Sequence, residues 1–80
     1  MVAEVPIAPG APLDGGSVAD ANTPGQAMVI GMHAHLEPRP HWAPPGPHRI
    51  GAGDRLIVVA TRAGLADVVD RSAVPSVAAG

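Results

Sequence analysis

His33, His35 and Glu37 stand at every second position of the segment Gly-Met-His-Ala-His-Leu-Glu, and His41 and His48 follow soon after. Side chains two apart on an extended strand emerge on one face, so two imidazoles and a carboxylate would stand together if a strand ran that far. Such a donor set suits zinc, iron or nickel. It would make the chain a small metal-binding protein or a metal-dependent enzyme. The plainer reading, and the preferred one, is that these are solvated side chains at a strand end and in a loop. No metal site is expected, and His33, His35 and Glu37 are the candidates weighed against that expectation.

The remaining chemistry-bearing residues read as structure. Asp54 follows a glycine and precedes an apolar strand, which is the place of a turn aspartate bonding nearby backbone. Ser17 opens Ser-Val-Ala-Asp, a capping-box pattern, and no Gly-x-Ser-x-Gly surrounds it. Arg55 and Arg62 flank the central apolar run and read as solvated strand-end cations. Trp42 is the one aromatic residue, and a lone tryptophan in a loop more often covers a core than anchors an interface. No catalytic residue is expected, and the chain does not read as an enzyme.

The elements that position these residues are organised around Gly53 to Val69. Leu56 to Thr61 is an unbroken, mostly β-branched run, expected as a strand buried on both faces. Gly64 then releases the backbone into a short helix with Leu65, Val68 and Val69 as its apolar stripe. Upstream, Val2 to Ala8 carries Pro6, which suits an edge strand. Ser17 should cap a helix of about two turns, with Leu13, Val18 and Ala21 inward and Pro24-Gly25 beyond it. Gln26 to Ala34 reads as a strand beside the central one, with Met28, Ile30 and Met32 on one face and Val29, Gly31 and His33 on the other. Leu36 to Ala52 holds five prolines and should be an extended excursion with one short strand near Trp42. Residues 1–71 form the expected domain, and 72–80, interrupted by Pro75, read as a flexible tail or linker.

Composition narrows the classes. Eighty residues hold one domain whose core leaves roughly 3–5 kcal/mol of stability, so association with another chain would help it. Ten glycines and ten prolines make a quarter of the residues, and much of the chain is turn. There is no cysteine and therefore no disulfide or thiolate metal site. Five arginines against seven carboxylates, a net charge of -2, offer no basic face, and nucleic acid is excluded as a partner. No apolar run approaches the ~20 residues of a membrane span, and Glu4 and Pro6 stand where a signal peptide would be basic and then apolar.

Three motifs in order carry a resemblance: Gly10-Ala11-Pro12-Leu13-Asp14-Gly15-Gly16-Ser17-Val18-Ala19-Asp20, then Ala27-Met28-Val29-Ile30-Gly31-Met32, then Gly53-Asp54-Arg55-Leu56-Ile57-Val58-Val59. Over about Val2 to Val69 the chain resembles the C-terminal regulatory domain of bacterial potassium-transport proteins, TrkA-C or RCK-C. The resemblance implies an α+β fold, a small mixed or antiparallel sheet of three or four strands with two short helices. It also implies a non-catalytic, ligand-sensing module without a cofactor. Such a module forms a homodimer in the cytoplasm, peripheral to the inner membrane. Its partners would be a Rossmann-type RCK-N/TrkA-N domain, a membrane cation channel or transporter, and a small anionic ligand. The chain lacks a dinucleotide loop of its own, because Gly51-Ala52-Gly53 opens a strand and not a helix. After the second strand it departs from the family's short basic turn, having His33-Ala34-His35 and the proline-rich excursion instead. No ligand-contacting residue is carried over.

Overall fold

A computed structural model describes residues 1–74. In chain order the elements are β1 (Val2–Pro6), α1 (Val18–Ala21), β2 (Ala27–His33), β3 (His41–Trp42), β4 (Arg55–Ala60) and α2 (Arg62–Ser72). The four strands form one sheet in the order β1-β4-β2-β3 with every pairing antiparallel. This is the small α+β fold expected, and of the two sheet types considered it is the antiparallel one. Pro6 does lie on an edge strand, where its missing N–H costs no ladder bond. The expected tail begins at Ser72, which is still the last residue of α2; residues 75–80 lie outside the described residues.

Both helices lie on one side of the sheet. Leu56 and Val58 are fully buried there with Val5, Ile7, Val29 and Met32, under Val18 and Ala21 of α1 and Val68 of α2. Burial of such side chains contributes roughly 1.5–3 kcal/mol each. Among the described residues no layer covers the other side of the sheet. The reading of the central strand as buried on both faces is therefore corrected: Val59 is 43% exposed and Ile57 half-buried. An unbroken apolar run does not distinguish a strand covered twice from one whose second cover is missing.

Three further expectations change. A bulge between Val29 and Gly31 breaks the strict alternation of β2, since Val29 faces Val58 and Gly31, two residues on, faces the very next partner, Ile57. One extra residue in a strand moves all that follow to the opposite face. Met28 thus points outward and Met32 inward, although they were expected on the same face; Met32 is 1% exposed and Met28 61%. In α2, Val68 is buried but Val69 is 48% exposed, and the inward positions are Gly64, Val68 and Ser72, spaced by four. Gly64 does not break the chain; it lies inside the helix, whose N-cap is Thr61, and the Thr61 hydroxyl accepts the Gly64 N–H at 3.0 Å. Finally, α1 is one turn of four residues rather than two turns, and Leu13 joins the core from the segment before it.

So short a helix is held at both ends by other parts of the chain. The Asp20 carboxylate accepts the Ser17 N–H at 2.9 Å and the Ser17 hydroxyl at 3.1 Å. The excursion supplies acceptors for the first helical amides, Val18 N–H to His48 O and Ala19 N–H to Gly46 O, both 2.9 Å. At the other end the Arg71 guanidinium donates to the Asp20 and Ala21 carbonyls. Cations at a helix C-terminus satisfy carbonyls that have no partner within the helix.

Candidate functional site

The residues singled out for metal chemistry are not brought together. Strand β2 ends at His33, which is paired across the sheet with Arg55. The chain then turns over Ala34 to Glu37, with the Glu37 N–H bonded to the Ala34 carbonyl at 3.0 Å and Leu36 at a φ of 65°. That turn ends the alternation on which the proposed face depended. His35 lies against Gly53, where an added Cβ would stand 2.5 Å from its Nδ1, and Glu37 is exposed. His41 and His48 do approach one another, with ring centroids 6.1 Å apart. Among the described residues no group of three or more histidine or carboxylate side chains is placed to hold a metal ion.

Asp54 takes the structural part expected of it. Its carboxylate, 8% exposed, accepts the His35 N–H at 2.7 Å on one oxygen and the Gly51 N–H at 2.8 Å on the other. Asp14 makes a second latch, accepting from Gly10 at 3.0 Å and Ala52 at 3.1 Å. Both aspartates bind loop backbone, which is the ordinary work of turn carboxylates.

What the fold leaves available is the open face of the sheet. Register sets its residues in rows across the strands. Val2, Val59 and Met28 make the first row; Glu4, Ile57, Gly31 and Trp42 the second; Pro6, Arg55 and His33 the third. The first row is wholly apolar. In the second, the Trp42 ring lies over Gly31, where a Cβ would meet it at 2.8 Å, so the glycine makes room for the indole. Trp42 remains 64% exposed, so it covers the outer face and not the core. The Arg55 guanidinium pairs with Glu4 at 2.9 Å, with both side chains about half exposed. Such a pair contributes only about 0–1 kcal/mol.

At the end of the first row the face continues into a groove of about 630 Å³ lined by Met1, Asn22, Pro24, Gln26, Met28 and Val59, among others. Several of its polar groups are already engaged. The Asn22 carboxamide oxygen accepts the Val29 N–H at 2.8 Å, the Thr61 hydroxyl donates to Gln26 Oε1 at 2.7 Å, and the Met1 amine donates to the Ala60 carbonyl at 2.9 Å. No arginine lines the groove. Groove and first row together suit an apolar surface. Sequence reasoning did not single out Val2, Met28 or Val59. The signal was present in Leu56 to Ala60, whose outward positions are as apolar as its inward ones.

A family model, that of the TrkA-C domain, matches residues 2–72. A search of curated proteins finds no match.

Proposed function

The chain belongs to the TrkA-C domain family, and on that premise we propose that it is the ligand-sensing, dimerising regulatory domain of a potassium or other cation transport protein. A TrkA-C domain is a regulatory domain of potassium-transport proteins and not a catalytic one. The finer reading is that two copies associate beside a Rossmann-type TrkA-N or RCK-N domain on the cytoplasmic side of the inner membrane. A small ligand, anionic as first expected, then changes how they associate, and the change passes to a channel or transporter. Among the described residues no helix is long and apolar enough to cross a membrane, so the pore is assigned to another polypeptide segment.

Physically, such a domain acts only through differential affinity. A ligand shifts gating by as much as it prefers one arrangement of the paired domains over the other. Among the described residues, a core of thirteen beneath a sheet left open on one side supports a module completed by association. The observation that carries the reading is the family match across nearly the whole described chain. Potassium uptake by cells whose transporter retains or lacks residues 2–72 tests it. The expected result is uptake that loses its regulation when the domain is removed; uptake and its regulation unaltered by removal would sink the reading.

A further inference from the structure

We propose that Met28 is a reversible oxidation site for hydrogen peroxide, at which one added oxygen atom makes an apolar groove polar. The chain has three methionines and no cysteine, so no thiol competes for the oxidant and thioether sulfur is the group such a peroxide meets. The fold sorts the two methionines of β2 sharply. Past the bulge Met32 turns inward and is 1% exposed, whereas Met28, before it, is 61% exposed. An oxidant reaches a buried thioether only when the fold opens, so Met32 is protected and Met28 is not.

The step balances without a metal or a catalytic group. The Met28 sulfur attacks one oxygen of the peroxide, the S–O bond forms as the O–O bond breaks, and the second oxygen leaves as water with both protons. Sulfur loses two electrons and the peroxide gains them. The return step takes two electrons from a dithiol, which becomes a disulfide as the oxygen leaves in water. With no cysteine of its own, the chain depends on an external reductant for it.

What makes this more than an exposed methionine is the groove that Met28 lines together with Asn22, Gln26 and Val59. The Asn22 carboxamide oxygen is taken by the Val29 N–H and that of Gln26 by the Thr61 hydroxyl. Their NH2 groups make no hydrogen bond among the described residues. A thioether is a weak acceptor and has little to offer them. A sulfoxide oxygen is polar, so oxidation supplies an acceptor to a groove that holds two spare donors, and removes an apolar member from the row it forms with Val2 and Val59. The core, which contains Met32 and not Met28, is left intact. The consequence for transport rests on the regulatory reading above: a changed surface alters regulation by as much as it changes the affinities of the arrangements.

Peroxide treatment of the full 80-residue chain, followed by peptide mass mapping and amide NMR, tests the site. Met28 should gain one oxygen at least about tenfold faster than Met32 in the folded chain, and at a similar rate in urea. The Asn22 and Gln26 NH2 resonances should shift on oxidation in the parent and stay in place in Met28→Leu, which keeps Met1, itself 59% exposed, and so subtracts its contribution. Methionine sulfoxide reductase with a dithiol should return them. Equal rates for Met28 and Met32 in the folded chain, NH2 resonances that do not move, or a change that the reductase cannot reverse would each overturn the site. In cells, peroxide should alter the regulation of potassium uptake with the parent and not with Met28→Leu. An equal response in both removes the regulatory consequence, whereas uptake indifferent to loss of residues 2–72 removes the proposed function itself.

Discussion

At the scale of single residues, Gly64 and Asp54 hold more than their types suggest. Replacing an interior helical glycine by alanine ordinarily adds up to ~1 kcal/mol of stability, because it reduces the entropy lost on folding. Here a methyl group would run into the Gln26 carbonyl, and that carbonyl also accepts the Thr61 N–H at 2.8 Å. It cannot retreat without loosening the β4 to α2 junction. Overpacking of this kind costs about 1–3 kcal/mol or more. The expected outcome for Gly64→Ala is a net loss of roughly 2 kcal/mol in urea-induced unfolding; a gain in stability would show that the junction yields freely. Asp54→Asn leaves one oxygen where two backbone amides need acceptors and turns an NH2 group toward an N–H. A buried donor left without a partner costs about 1–3 kcal/mol, and the same unfolding measurement should show a loss in that range.

At the scale of elements, the bulge in β2 decides which methionine belongs to the core. Strict alternation would put Met28 and Met32 on one face and make their truncations comparable. With the extra residue between Val29 and Gly31, Met32→Ala should cost about 2–5 kcal/mol through lost burial and the cavity left behind. Met28→Ala should cost less than about 1 kcal/mol in the monomer. Equal losses in thermal or urea unfolding would return the strand to unbroken alternation. The helix ends make a related point. Thr61 looked like the last residue of a strand, being β-branched and next to Ala60, yet its hydroxyl caps α2. Thr61→Ala should therefore cost about 1 kcal/mol, a typical N-cap value, and not the near-zero value of an exposed strand end.

At the scale of the whole molecule, the described residues fold as a sheet with one covered side. If two copies close the other side, the melting temperature should rise with protein concentration, since whatever binds only the native state stabilises it. A monomeric fold would melt at the same temperature throughout. The competing metal reading makes a separate prediction. With His33, His35 and Glu37 held apart by the turn over Ala34 to Glu37, removing divalent metal with a chelator should leave the melting temperature unchanged, and His33→Ala should leave it insensitive to chelator too. A chelator-dependent drop, abolished by His33→Ala, would restore the metal-binding alternative.

The order and kind of the elements were legible in the chain because their signals are local. Gly53-Asp54 before a β-branched run, Ser17 three residues before Asp20, Pro6 within a short apolar segment and five prolines between Leu36 and Ala52 each act over a few residues. So do the three ordered motifs on which the family resemblance was first seen. Side and register depend on neighbours distant in sequence. Whether Ile57 and Val59 meet a second layer, whether β2 carries an extra residue opposite β4, and whether Gly64 touches Gln26 are decided by which strands pair and where the helices lie. The apolar face was thus written in the sequence as a run of hydrophobic residues, but only the tertiary structure made it a surface, because only there are both helices seen to lie on the other side.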